Sequence, residues 1–308
     1  MNKKFEFKPS KFISYKDLDE LDKCRNIKRE DMEKHSNPDF KIRIVEDVTS
    51  LFVADCFTRI KESDDLNKKV VIIFPNPWPS AYANIAELCN KFNVNLRNVH
   101  TFNMDEWADQ DGNVAPLDYK AGLGHAFMKH FWGNINPELR MKEDQVHYFT
   151  TENYQDYSKI IEDVGDGGAD ICYSATGWPG HTAFIDPDTE EFRADTLEQF
   201  LEMGSRFVTQ HPLTIAENSL FNIFGSSGDV AAVPPCAVTI GPRDIKNARD
   251  HFEMHSFSET SGSSWQRMVS RLTLYGPVSL QCPASILQLF KASVYVSEGI
   301  ARPFECID

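Results

Sequence analysis

The stretch Lys69–Pro75, KVVIIFP, limits the architecture of this chain more than any other. An unbroken β-branched and aromatic run fits a strand covered on both faces, the setting of a parallel sheet with helices above and below it. The flanking sequence supplies those helices. Ahead of the run, KIRIVE (41–46) alternates like a strand, and DVTSLFVADCFTRIKE (47–62) spaces Leu51, Phe52, Ala54, Cys56, Phe57 and Ile60 as a helix opened by Asp47 or Thr49. Behind it come a helix in SAYANIAELCNKF (80–92), a strand in VHTFN (99–103), a long acidic loop, helical LGHAFMKHFW (123–132), then DQVHYF (144–149). ADICYSAT (169–176) reads as a further strand ending in a Gly- and Pro-rich loop. This alternation predicts an α/β fold with a doubly wound, mainly parallel, Rossmann-like sheet. Ligands of such sheets sit beyond the carboxyl ends of the strands, which singles out the loops after 70–75, 99–103 and 171–175.

Residues 1–40 are strongly charged, with Leu18 and Leu21 as a thin apolar stripe, and predict one surface helix and a break at Pro38. They read as an N-terminal extension to a single α/β domain over 41–308. No internal repeat is visible. A chain of 308 residues, 41% of them hydrophobic, can bury a sizeable core. Its net charge of −14 and pI near 5.1 argue against a nucleic-acid footprint, which needs clustered Lys and Arg. A small-molecule partner fits better, and an anionic one would need a local basic pocket. Cys24, Cys56, Cys89, Cys172, Cys236, Cys282 and Cys306 are scattered without a CxxC, so neither a disulfide framework nor a zinc site is expected. The start of the chain has no apolar signal core and no run of about 18 apolar residues occurs, so no membrane partner and a cytoplasmic location are expected. No GxGxxG, Walker A or metal-spaced His cluster appears, and His125 and His130 flank an apolar helix face where a core role is expected. No cofactor or metal is therefore anticipated.

Three loops carry candidate chemistry. In NMDEW (103–107), Asp105 or Glu106 at a strand end suits a base that takes a proton from carbon, although a capping or solvated acid has the same residue type. In TGWPGHTAFIDP (176–187), His181 is followed by Asp186, and a carboxylate on the ring would fix its tautomer and raise its basicity; a purely structural histidine is the competing reading. In SFSETSGSSWQR (256–267), a Ser/Gly loop leads into a helix and offers backbone N–H groups to an anion, or simply caps the helix. FGSSGDV (224–230) reads as a turn.

Together, TFNMDEW and the later GHTAF with its acid resemble the glucosamine-6-phosphate deaminase/isomerase family, over about residues 41 to 290. The resemblance implies the deaminase/isomerase type of fold and proton transfer between C2 and C1 of an open-chain amino sugar, a sugar or sugar phosphate being the partner and a homo-oligomer admitted. It puts Asp105 as the base and His181 with Asp186 as the ring-opening pair, with Glu106 supporting the site. SRF (205–207) resembles the segment bearing the family's phosphate-binding arginine, which gives that role to Arg206. Asn76, Trp78, Gly180, Ser261, Gly262, Ser263 and Ser264 complete the expected substrate-binding set.

Departures from the family pattern are equally specific. The family's acid two residues before the loop histidine is Pro179 here. Its Gly-Gly-Thr phosphate cradle is PNPWPSAY, where Pro75, Pro77 and Pro79 remove backbone donors. Its loop lysine falls near Ser264 or Trp265, leaving Arg206, and Arg267 with the loop serines, for any phosphate. These changes imply a diverged member whose substrate lacks a phosphate or carries a group that stacks on Trp78 and Trp178, unless those rings pack on the domain itself. Two other functions stay open: a lactonase-type hydrolase using GHTA, and a ligand-binding or inactive homologue that senses sugar.

Overall fold

The computed structural model describes residues 7–75, 77–256 and 264–304. Ten strands are assigned there: β1 Phe40–Val45, β2 Val70–Phe74, β3 Val99–Asn103, β4 Asp105–Ala108, β5 Val146–His147, β6 Ile171–Ala175, β7 Arg206–Thr209, β8 Cys236–Thr239, β9 His251–His255 and β10 Ala292–Ser297. The α-helices are α1 Leu18–Arg25, α2 Val48–Asp65, α3 Pro79–Lys91, α4 Leu123–His130, α5 Tyr157–Val164, α6 Leu197–Leu201, α7 Pro212–Asn218, α8 Pro242–Asn247, α9 Gln266–Tyr275 and α10 Glu298–Ala301.

Seven strands form one parallel sheet in the order β1-β10-β9-β6-β2-β3-β5. It is the doubly wound α/β sheet that the alternating pattern predicts. β2 meets the double burial expected of VVIIF: Val70, Ile72 and Phe74 join the core under α2 and α3, while Val71 and Ile73 join the core of the opposite face. Each such side chain contributes about 2 kcal/mol of burial free energy, which is why this run anchors the sheet. α2 begins at its expected cap, with the Asp47 carboxylate accepting from the Ser50 amide. Strand order changes direction between β2 and β6, so the loops after those two strands and after β3 open at one crevice.

The expected acidic loop after VHTFN is instead a turn at Met104 and a new strand. β4 leaves the main sheet and pairs antiparallel with β8, which pairs in turn with β7. Its partners lie far along the chain, Asp105 standing opposite Thr239, so local patterning gave no sign of it. The N-terminal segment is docked rather than loose: Met32 is buried in the main core, and Cys24 and Tyr15 pack with Leu272 of α9 and with Cys282. The six described cysteines are all buried and free. Among the described residues no helix is long and apolar enough to cross a membrane.

Candidate active site

Asp105 opens β4 at the crevice and is buried. β8 ties it to the second loop, because Thr239, its register partner, also accepts the Phe184 amide through Oγ1 at 3.1 Å. That loop leaves β6 at Thr176, which bridges to Thr182, and turns through Gly180, whose amide donates to Gly177 O at 2.9 Å. Gly180 has φ +89°, and a Cβ there would stand 2.9 Å from Cys282 Sγ, so the turn is open only to glycine. The turn presents His181 toward Asp105, near enough that each responds to the other's charge.

His181 Nδ1–H donates to Asp186 Oδ1 at 2.6 Å. The same oxygen accepts from Thr214 Oγ1 at 2.7 Å, and Oδ2 accepts the His211 amide at 2.7 Å. These bonds fix the tautomer that leaves Nε2 for chemistry. Burial favours the neutral imidazole, yet the charges of Asp186, Glu217 and Asp105 outweigh it and hold the His181 pKa above the usual histidine value. Burial drives Asp105 the other way from an exposed carboxyl, well above the usual range, against the charge of His181 and with help from Glu106 and Asp186.

Glu106 has a different position. Its carboxylate accepts the amides of Trp107 at 2.9 Å, Leu123 at 3.0 Å and Gly124 at 2.7 Å, capping the N-terminus of α4 from a neighbouring strand. Burial still raises it to about 7. A cavity of about 280 Å³ lies beside Glu106, walled by Val114, Leu117, Tyr148 and Thr150, and neither Asp105 nor His181 lines it.

The expected phosphate and stacking residues are engaged within the protein. Arg206 starts β7, opposite Thr239 in register and thus two strands from Asp105, roughly 10 Å at the backbone. Its guanidinium donates to Gly204 O at 3.0 Å and Glu191 O at 2.5 Å and lies 4.7 Å over the Phe192 ring. Arg267 donates to Arg302 O at 2.7 Å and Pro303 O at 2.6 Å, binding the C-terminal segment. Trp78 precedes α3 and stacks on Phe52 at 5.7 Å, so this ring packs on the domain. Trp178 stacks on Trp265 at 5.9 Å, and Ser264 Oγ accepts the Gln266 amide at 3.1 Å at the start of α9. Asn76, Ser261, Gly262 and Ser263 lie outside the described residues. His125 Nδ1 donates to Leu117 O at 2.8 Å, a structural bond.

One site neighbour escaped sequence reasoning. Glu217 of α7 is buried, and its Oε2 accepts the Trp178 amide at 2.6 Å and stands 3.9 Å from His181 Nε2. Burial raises it to about 7. Its only signal in the sequence is an acid in the otherwise unremarked PLTIAEN, and it takes the fold to bring α7 to the loop. Among the described residues no group of three or more His, Cys, Asp or Glu side chains is placed to hold a metal ion.

The crevice, the buried acid at a strand end and the histidine–carboxylate pair can be set beside known proteins. No family model matches the chain. It is 30% identical over 207 residues to a glucosamine-6-phosphate deaminase of Halothermothrix orenii, covering 67% of this chain and 75% of that protein. With the Dictyostelium discoideum glucosamine-6-phosphate deaminase it shares 26% identity over 255 residues, 80% of this chain and 82% of the other. In structure it is similar to a monomeric glucosamine-6-phosphate deaminase, with a TM-score of 0.67 at 19% identity over 85% of this chain and 99% of that one. A 6-phosphogluconolactonase from Thermotoga maritima gives a TM-score of 0.56 at 18% identity, over 83% and 98%. At such identities the structural likeness speaks for the fold, and the sequence likeness carries the assignment: the chain belongs to the glucosamine-6-phosphate deaminase family.

Proposed function

We propose that this chain is an aldose–ketose isomerase or deaminase that moves a proton between C2 and C1 of an open-chain amino sugar of the glucosamine-6-phosphate kind, with an altered phosphate pocket. The observation that carries the reading is the joint burial of Asp105 and the His181–Asp186 pair at one crevice, with 2.6 Å between His181 Nδ1 and Asp186 Oδ1. Asp105 is the base over the C1–C2 unit. Its raised pKa brings it toward the pH at which a general base both holds and releases a proton. His181 opens the sugar ring through Nε2, steadied by Asp186, and Glu106 holds α4 and the floor of the site in place.

Substrate contacts come from Gly180 and Ser264 with Asn76, Ser261, Gly262 and Ser263. Arg206 and Arg267 already bind backbone carbonyls, which supports a substrate whose phosphate is absent or held differently from the family pattern. Residues 1–40 are an N-terminal extension to a single domain over 41–308, and Tyr15, Cys24 and Met32 of it pack on that domain. Buried, unpaired cysteines fit a reducing, cytoplasmic setting, and a homo-oligomer remains part of the proposal.

The test is incubation of the pure protein with phosphorylated and free amino sugars, hexoses and pentoses in deuterated water, following C2 hydrogen exchange by NMR. Exchange with one sugar that vanishes in Asp105→Asn, with sugar binding retained, is the expected result. Unchanged exchange in that variant, or silence across the panel from protein that binds the sugars, overturns the reading in favour of a sugar-binding homologue. Release of acid from sugar lactones above background would instead support lactonase chemistry.

A further inference from the structure

Pro179 removes the acid that the family places two residues before the loop histidine, yet His181 Nε2 does not face an apolar wall. Glu217 Oε2 stands 3.9 Å away and accepts the Trp178 amide at 2.6 Å. The space between the two is kept by the absence of a side chain at Gly177. A Cβ on Gly177 would fall 2.0 Å from His181 Nε2 and 2.7 Å from Glu217 Oε2, inside both. A glycine and the amide of the next residue in the loop thus meet a glutamate from α7 beside one ring nitrogen.

We propose that Glu217 is a positioning residue for His181, supplying from α7 the negative charge beside Nε2 that the loop no longer supplies at Pro179. The proposal rests on the catalytic reading of His181 given above. The groups that face the imidazole are Asp186 from its own loop, Asp105 from β4, and Thr214 and Glu217 from α7. With Asp186 on Nδ1 and Glu217 across from Nε2, the ring has a carboxyl group beside each nitrogen. A proton taken up at Nε2, as an O–H bond of the sugar breaks and an N–H bond forms, therefore gives an imidazolium flanked on both sides. At 3.9 Å the second contact is electrostatic rather than a hydrogen bond.

Glu217→Gln keeps an oxygen for the Trp178 amide while removing the charge, so the loop anchor survives. In full-length protein labelled at histidine, followed by NMR without substrate, the His181 pKa is expected to fall by about one unit in Glu217→Gln, the size expected when an opposite charge at this range is lost. Glu217→Asp is expected to recover part of that shift. In the active enzyme the corresponding limb of kcat moves to lower pH while KM stays close to wild type, which a merely structural contact would not produce. A second measurement needs no variant: the Glu217 carboxyl carbon and the His181 ring of the wild type should titrate in shared steps, as coupled sites do. A His181 pKa unmoved in folded Glu217→Gln, or a Glu217 titration that leaves the ring signals untouched, overturns the proposal. Because both titrations are read without turnover, failure of the enzymatic reading would appear separately, as absent C2 exchange.

Discussion

Asp186 accepts three hydrogen bonds through two oxygens, from His181 Nδ1, Thr214 Oγ1 and the His211 amide, and every partner is a donor. Only an acceptor-only group fits there. In Asp186→Asn the amide NH₂ must face a donor whichever way it is turned, so His181 loses its fixed tautomer or the 211 turn shifts. Turnover is expected to fall about 10²-fold or more, the lower range of what positioned acid–base groups contribute, with a smaller change in KM. Steady-state kinetics with the sugar found by C2 exchange checks this, and an unchanged kcat would refute the role of the pair. The pH profile carries a second expectation. Asp105 must be ionised to act, and burial holds its pKa well above the ordinary carboxylate range, so activity should be lost on acidification well before the usual Asp value of about 3.9. A kcat/KM that is flat down to that value would remove Asp105 as the base.

At the scale of elements, α9 joins the segment after α1 to the end of α10. Its Arg271 is wholly buried and donates to Ile27 O at 2.6 Å, in the segment after α1, and to the carbonyls of Ile300, Ala301 and Arg302 at 3.4, 3.3 and 3.0 Å. The last three are the end of α10, where helix carbonyls lack partners of their own. Arg271→Met preserves much of the volume but strands these acceptors, and the expected loss is about 3 kcal/mol, read as a lower urea midpoint at unchanged m-value. Lysine should recover little of it, since one ammonium cannot span the set as a guanidinium fork does; a wild-type midpoint in either variant would show the bonds to be dispensable. None of this was legible beforehand, because the sequence suggests only an exposed, charged appendage. β2 was legible, since burial on both faces writes itself as an unbroken apolar run, and β3 and β6 were legible as short β-branched and aromatic stretches that lead into turn residues. β4 was not, because its four residues begin with two acids and its partner strand lies more than a hundred residues away, Asp105 opposite Thr239. The site divides in the same way. Asp105, His181 and Asp186 sit in short motifs beside readable strand ends, whereas Glu217 reaches the site only through the packing of α7, and Arg206 is drawn into carbonyl bonds that no local pattern announces.

Across the whole molecule, several carboxyls are buried in a chain that already carries a net charge of −14. Burial raises Glu106, Glu217 and Glu253 to about 7 and Asp244 to about 6. Glu253 is the cleanest of them to test because it stands outside the proposed chemistry: on β9 it accepts from Ser174 Oγ and, at 3.1 Å, from Thr176 Oγ1. For a carboxyl raised on folding, the native state binds its proton more tightly than the unfolded chain. Its stabilising effect is complete below the unfolded value of 4.5 and is lost as pH rises through about 7. Buried His255, lowered from 6.5 to about 3 by burial, acts in the opposite sense and costs stability as pH falls below 6.5, so the wild-type curve mixes both effects. Glu253→Gln removes the first and, because His255 Nε2 stands 3.5 Å from Glu253 Oε1, also takes a charge from beside the second. Relative to wild type, the variant should gain stability between pH 4.5 and pH 8, by an amount on the order of 3 kcal/mol for a shift of this size. Urea unfolding of both proteins across that range measures the difference directly. Parallel curves would mean that Glu253 stays ionised in the folded protein, with Ser174 and Thr176 fully compensating its burial. A variant curve that rises away from the wild type as pH increases would mean that the sheet beneath the crevice is held most firmly with Glu253 protonated, while Asp105 above it must give up its proton to work.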